Sequence, residues 1–336
     1  MILLWGISND GPLRAVRAAL HARGEPVCLF DQRETPRTTL DLRVGSSVQG
    51  TLHLAEGLFA LEGITSVYAR PYDVRQLPDL QDAGPFSPLW RHGLALDDAL
   101  QTLVELTPAL VINRPSAMAS NGAKPYQAAL IRAAGFDVPD TLVTTDPEAA
   151  LAFQAQHGAV IYKSTSGVRS IVTRLSDEHR ARLQDIGNCP TQFQQYIAGT
   201  DYRVHVVGDD VFAAEIVSDA DDYRYADRTG HTRKIRATML EPALAQRCRS
   251  LAVAMGLAVA GVDLRRTPEG QWYCFEVNPS PGFTFYAEAT GQPIAASIAS
   301  LLAVEVAGSF ERSYAARRGG RQGTWRTGLR SGSRSV

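Results

Sequence analysis

Apolar runs and polar punctuation alternate regularly through the first third of the chain. Residues 2–7 form an unbroken apolar run with strand character. Asp10 can cap a helix with Pro12 in its first turn, and Gly24 ends it. Residues 26–30 read as a second strand and 66–69 as a third. Residues 97–106 then read as a helix, followed by a strand at 109–113. This β-α-β rhythm predicts a small parallel sheet. No GxGxxG follows the first strand, which argues against a dinucleotide fold. Residues 71–91, rich in Pro, Asp and Gln, read as a long loop.

The pattern changes after residue 124. A helix over 124–134 stops at Gly135, and residues 141–144 are a strand. Asp146 caps the next helix, with Pro147 at its first position and Gly158 at its end. Strands at 160–163 and 170–174 flank Ser164-Thr165-Ser166-Gly167, and Ser176 caps a further helix. The remainder is mostly antiparallel. Strands are expected at 192–197, 202–207 and 211–217, the last two joined at Gly208-Asp209-Asp210. An amphipathic helix over 242–255 ends at Gly256. A hairpin of 259–265 and 271–278 follows, then an apolar helix over 293–307. No internal repeat is present. The fold class is α/β with a large α+β component.

Composition adds constraints. The 336 residues are 45% hydrophobic and 21% charged, with net charge -1 and no run approaching a membrane span. The first residues read as a buried strand rather than a signal peptide. Cys28, Cys189, Cys248 and Cys274 are scattered without metal-ligand spacing, and are expected to be reduced core thiols of a cytoplasmic protein. Residues 312–336 hold seven arginines and no acid, which leaves about -8 on the rest of the chain. This Gly-, Ser- and Arg-rich tail is expected to be disordered; the other reading is a contact for an acidic partner. Only three of the 34 basic residues are lysines: Lys124, Lys163 and Lys234. Where arginine is so strongly preferred, the remaining lysines should include sites that need a compact point charge, as at a phosphate.

The hairpin carries the clearest chemistry. A turn centred on Glu269 and Gly270 sets Asp263 opposite Glu276, and Gly261 opposite Asn278 with space above it. Two carboxylates and an amide oxygen then share one face. Such a set suits Mg²⁺, which completes its shell with phosphate and water. The alternative is a solvated polar face with one acid paired to an arginine such as Arg265. Leu264, Phe275 and Val277 are expected to face a core. A one-residue slip would undo the pairing. Lys163 and the following Ser-Thr-Ser-Gly could cradle phosphate through backbone N–H groups, or form an ordinary turn; they are not a P-loop.

Together these pieces resemble the ATP-grasp ligases, in particular the RimK-type branch and its members that cross-link microviridin-type peptides (graspetides). GVDLRR and CFEVNPSPGF carry the strongest likeness, and DYRVHVVGDDVFAAEI and DDYR resemble the branch's central strands. LFDQRETP, SVYARPYD and KPYQAALIRAAGFDVPDTLVT resemble the front half of the peptide-cross-linking members. The likeness spans about residues 1–302. It implies a pre-ATP-grasp domain (1–115), a central subdomain (116–190), a C-terminal subdomain with the Mg/ATP site (191–310) and the tail (311–336).

The resemblance also implies roles. Lys124 and Lys163 match lysines that reach the ATP phosphates, with Ser166 and Gly167 in the phosphate loop. Gln194, Gln195, Tyr196 and Ile197 match the adenine-holding hinge, and Asp201 falls near the ribose. Gln195 stands where similar sequences often carry Glu, which puts its adenine contact in question. Asp263, Glu276 and Asn278 match the magnesium ligands. Arg203 and Arg224, with Lys163, match groups around the transferred phosphate and the acceptor. ATP and Mg²⁺, with two ions, are the implied cofactors.

The implied activity is ATP-dependent joining of a carboxylate to an amine or hydroxyl through an acyl phosphate. The expected partner is a carboxylate-bearing peptide, with no nucleic acid or membrane involved, and a homodimer or homotetramer fits similar enzymes. Two other readings stay open: a RimK-like ligase adding an amino acid to a small molecule or protein tail, and a non-catalytic ATP-binding module. His205 is expected to be packed rather than catalytic. Lys234 either meets the acceptor or a phosphate, or is a surface residue.

Overall fold

The computed structural model describes residues 1–164, 173–218 and 233–304. Strands β1 (Ile2–Gly6) and β2 (Val27–Asp31) flank the helix Gly11–Ala22, which Asp10 caps by accepting from Leu13 N at 2.8 Å. Strands β3 (Thr39–Val44), β4 (Val48–Leu54) and β5 (Gly57–Ala60) form a small antiparallel sheet absent from the sequence reading. About half of their residues are exposed, and Leu52 and Leu54 alone among them are fully buried. Residues 39–44 nevertheless alternate polar and apolar throughout, and their Leu40 and Leu42 pack, partly buried, against the cluster that holds Leu52.

Strands β6 (Ser66–Arg70) and β7 (Leu110–Ile112) complete the parallel sheet in the order β2-β1-β6-β7. Its faces alternate as parallel strands buried on both sides require. Leu3, Trp5, Val67 and Val111 pack against Leu96, Leu100 and Leu103. Ile2, Leu4, Tyr68 and Ile112 pack against Leu13, Val16, Ile294 and Ile298.

The segment expected to be a long loop is ordered instead. It holds the short helix Pro78–Ala83, whose Leu80 packs with Val74 and Leu77. The following helix, Pro88–Leu106, starts nine residues earlier than its apolar pattern suggested, with Ser87 capping Trp90 N at 3.0 Å. Prolines that read as loop residues are first-turn residues of helices.

On that helix, partial burial pushes the Asp97 carboxyl up to about 6, with Asp98 and Asp73 adding to the effect. The folded state therefore holds this proton more tightly than the unfolded chain. Stability from it is present below the ordinary carboxylate range and is lost as pH rises through 6. Asp97→Asn should raise stability at pH 8 by about 1 kcal/mol, allowing for the solvent that still reaches the group. The gain should fade toward pH 4 in thermal melts of the two proteins.

Strands β8 (Thr141–Thr144), β9 (Val160–Ser164), β10 (Thr173–Arg174) and β11 (Thr191–Gln195) form an antiparallel sheet in the order β10-β9-β11-β8. Strands β12 (Thr200–Val207), β13 (Asp210–Ser218), β14 (Arg233–Thr238), β15 (Val259–Arg266) and β16 (Trp272–Asn278) form the largest sheet, ordered β14-β13-β12-β15-β16. Val204, Val206, Val262, Cys274 and Val277 on one face pack against Leu244, Cys248 and Leu251 of the helix Pro242–Ala254 and against Ile131 of the helix Lys124–Ala133. The other face carries Asp201, Arg203 and His205.

The chain then forms the helix Thr284–Thr290, which the sequence reading missed, and the helix Ile294–Ala303. The latter packs on the N-terminal parallel sheet. The basic tail lies outside the described residues.

Cys28, Cys248 and Cys274 are buried free thiols, but Cys189 is exposed, contrary to expectation. Burial pushes Cys28 and Cys248 up to about 12, so both stay protonated. Among the described residues no helix is long and apolar enough to cross a membrane.

Candidate functional site

The β15–β16 hairpin brings the two acids together by a route the turn alone does not provide. Near the turn, Arg266 pairs with Trp272, Arg265 with Tyr273 and Leu264 with Cys274. That register is one residue out from the expected one. A bulge between Asp263 and Leu264 corrects it, and beyond it Asp263 pairs with Glu276, Val262 with Val277 and Gly261 with Asn278. Phe275 is the extra residue. Cys274 and Val277 are both fully buried as a result, while Phe275 is only partly buried and stacks with Arg265, whose Cζ lies 5.2 Å from its ring centroid. The expectation that Phe275 faces the core fails because the bulge shifts it out of the strand's alternation.

Each acid has a cation. Arg203 Nη1 donates to Asp263 Oδ1 at 2.7 Å, from a side chain that is 6% exposed. Lys124 Nζ lies 3.8 Å from Glu276 Oε2. Asn278 Oδ1 accepts from Ser280 N at 3.3 Å. The space above Gly261 is filled: a Cβ there would fall within the Arg203 guanidinium and 2.8 Å from Pro281 Cβ. Arg265, the arginine first considered as a partner for these acids, instead grips Asp201 at 2.7 and 2.9 Å and donates to Ile197 O at 2.8 Å.

Three polar residues with no motif of their own hold this hairpin. Gln127, 2% exposed, donates to Val277 O at 2.8 Å and accepts from Val277 N at 3.0 Å. Its amide replaces a neighbouring strand on β16, the edge strand, and ties the helix bearing Lys124 beside Glu276. Asn113, also 2% exposed, donates to Val259 O and Pro279 O at 2.7 and 2.6 Å, and accepts from Ala258 N at 2.8 Å and Val259 N at 3.3 Å. Arg70 binds Asp10 at 2.9 Å, Ser280 Oγ at 3.0 Å and Pro281 O at 3.2 Å, which ties the Pro-Ser-Pro-Gly segment to the parallel sheet. Asn113→Leu should strand several buried backbone groups and cost about 3 kcal/mol or more, read as a lowered midpoint in denaturant unfolding.

The other candidates gather around β11. Lys163 on β9 donates to Gln194 Oε1 at 3.4 Å, and Gln194 donates to Thr141 Oγ1 at 3.1 Å. Gln195 N donates to Asp140 O at 2.9 Å, and the Tyr196 ring lies 4.1 Å from Arg174 Cζ. Ile197 is buried. Ser166, Gly167 and Arg224 lie outside the described residues. Lys234 pairs with Val217 and is exposed. Its neighbour Ile235 shares the face of Asp201, so strand alternation turns Lys234 to the opposite side, away from the acids.

Among the described residues no three His, Cys, Asp or Glu side chains converge as a self-sufficient metal cage. Two carboxylates and an amide oxygen on one sheet face, 28% and 23% exposed at the acids, form an open, oxygen-only set. That chemistry fits Mg²⁺ arriving with phosphate and water, and the cations already beside the acids suit the phosphates.

Comparison with known proteins agrees with this architecture. The chain matches the RimK-like ATP-grasp domain over residues 119–302. It is 36% identical over 153 residues to a probable alpha-L-glutamate ligase of Picosynechococcus sp., covering 43% of this chain and 50% of that one. It is 30% identical over 220 residues to a probable alpha-L-glutamate ligase of Xanthomonas axonopodis pv. citri, covering 62% and 72% respectively. The match thus spans half the length of the first relative.

Among solved structures, the ATP-grasp ligase PsnB, complexed with a phosphomimetic variant of its minimal precursor, Mg and ADP, aligns with a TM-score of 0.72. It is 27% identical, over 90% of this chain and 97% of that chain. A Chryseobacterium gregarium RiPP-associated ATP-grasp ligase, in complex with ADP and a leader and core peptide, gives a TM-score of 0.75 over 90% and 96%. At 24% identity the second likeness is one of fold. With more than half its length in the matched domain and the same sheet architecture, the chain belongs to the RimK-like ATP-grasp family.

Proposed function

We propose that this protein is an ATP- and Mg²⁺-dependent ligase that activates a peptide carboxylate as an acyl phosphate and passes it to an amine or hydroxyl. The observation that carries the reading is the pair of neighbouring ion pairs, Arg203–Asp263 and Lys124–Glu276, on one face of the largest sheet. Without nucleotide, each cation screens an acid and each acid holds a cation in place. With nucleotide bound, Arg203, seated by His205, and Lys124 would face the phosphates. Asp263, Glu276 and Asn278 would hold the Mg²⁺, which when bound neutralises phosphate charge. Lys163 reaches the same phosphates from β9, while Gln194, Gln195, Tyr196 and Ile197 hold the base.

The chemistry follows from what a carboxylate lacks. Its oxygen is a poor leaving group until it accepts the γ-phosphoryl group. The acyl phosphate is then attacked by the nucleophile, and inorganic phosphate departs. Arg203 would stabilise charge on both the phosphoryl group and the oxyanion. Buried, unpaired thiols suit a reducing compartment such as the cytoplasm.

Incubation with ATP, Mg²⁺ and an acidic precursor-type peptide tests the reading by mass spectrometry. Loss of one water mass per bond formed is expected. A gain of one amino-acid residue when free glutamate is supplied would favour the second reading, amino-acid addition, which the names of the curated relatives support.

A further inference from the structure

We infer that His205 is a positioning residue for Arg203: its imidazole accepts a hydrogen bond from the back of the guanidinium and fixes the face that Arg203 presents to the transferred phosphoryl group. This rests on the reading of Arg203 as a ligand of that group.

The two residues share a face of β12, two positions apart. Arg203 Nε lies 3.4 Å from His205 Nε2, while Nη1 is on Asp263. The guanidinium is thus held from both ends. Gly261, opposite His205 in the sheet, leaves the slot in which it lies. The Tyr286 ring closes the box, 5.7 Å from Arg203 Cζ and 5.2 Å from the His205 ring.

The state of the imidazole follows from its surroundings. It is 1% exposed, and burial together with the adjacent Arg203 charge holds it well below its ordinary range, so it is neutral. Nε2 is also 3.4 Å from Gly282 O. A proton on Nε2 would suit Gly282 but would point N–H at N–H on the arginine. A proton on Nδ1 leaves Nε2 free to accept from Arg203, whose Nε is a donor in every state. Nδ1 has no hydrogen-bond partner among the described residues. An orphaned buried polar atom costs stability, about 1–3 kcal/mol. An apolar side chain of the same size would remove that orphan but would take the acceptor from the buried Arg203 Nε, so the two costs offset and what the histidine adds is its acceptor atom.

The test is the affinity of the purified protein for AMPPNP and for ADP, each with Mg²⁺, by titration calorimetry, with thermal midpoints alongside. Arg203→Ala is expected to weaken AMPPNP by roughly 10-fold or more while leaving ADP within about 2-fold. His205→Leu is expected to weaken AMPPNP by about 5-fold and spare ADP, with a midpoint close to the parent because one orphaned polar atom is exchanged for another. His205→Gln, which restores an acceptor near the Nε2 position, should recover most of the AMPPNP affinity. If His205→Leu leaves both affinities unchanged, or lowers both together with the midpoint, the positioning role is overturned. If His205→Leu does not fold, the decision passes to His205→Gln, and equal loss of both nucleotides in it overturns the role. If Arg203→Ala itself leaves the AMPPNP preference intact, the phosphate reading of Arg203 fails first, and the role of His205 with it.

Discussion

Glu276→Ala is expected to reduce ATP-dependent phosphate release by roughly 10²–10³-fold, which corresponds to about 3–4 kcal/mol of lost transition-state stabilisation. The change removes one of two charged oxygen ligands from the candidate magnesium set. It also leaves Lys124 without the carboxylate 3.8 Å away. The fold should survive, because the Glu276 side chain is 23% exposed and the burial on β16 comes from Cys274 and Val277. An unchanged melting curve with lost turnover is therefore the expected pair of results. Glu276→Gln keeps the shape and one neutral oxygen, and should fall between the two. Full turnover in Glu276→Ala would contradict the magnesium role of the hairpin.

Gly261→Ala should be nearly as damaging to catalysis, by roughly 10²-fold, although it adds one carbon and alters no charged group. Its Cβ would overlap the Arg203 guanidinium and approach Pro281 Cβ to 2.8 Å. Neither neighbour can yield easily. Arg203 is held by Asp263 and His205, and the carbonyls of Pro279 and Pro281 are held by Asn113 and Arg70. The guanidinium must leave its seat, or β15 must part from β16. The first outcome lowers turnover at a nearly constant thermal midpoint; the second lowers both. Turnover equal to the parent would show that the seat of Arg203 does not matter to the reaction.

Much of this site was legible in the chain because it obeys local rules. Period-two alternation and a Pro-Glu-Gly turn announced the β15–β16 hairpin, and the facing of Asp263 with Glu276 followed from register. The register was nevertheless right at the acids for an incomplete reason. The turn is one residue longer than expected, with Thr267 N bonded to Gln271 O across residues 268–270, and the bulge at Phe275 restores the pairing. A bulge has no strong sequence mark when the extra residue is an aromatic on a strand.

The scarcity of lysine marked Lys124 as a candidate for a phosphate, and the structure sets it beside Glu276. The same reasoning kept Lys234 open as a ligand, and strand alternation places it on the wrong face. The supporting amides were not legible at all. Asn113 and Gln127 bond to backbone 146 and 150 residues away, so no spacing along the chain could announce them. The β3–β4–β5 sheet was legible in the polar–apolar alternation of residues 39–44 but was not among the expected elements.

The central claim is that nucleotide phosphates and magnesium meet on the face that holds Asp263, Glu276, Asn278, Arg203 and Lys124. A crystal structure with Mg²⁺ and AMPPNP tests it most directly. The account predicts metal density bonded to oxygens of Asp263, Glu276 and Asn278, with Arg203 and Lys124 placed against the phosphates. Nucleotide bound elsewhere, with no metal on Asp263, Glu276 and Asn278, would contradict it.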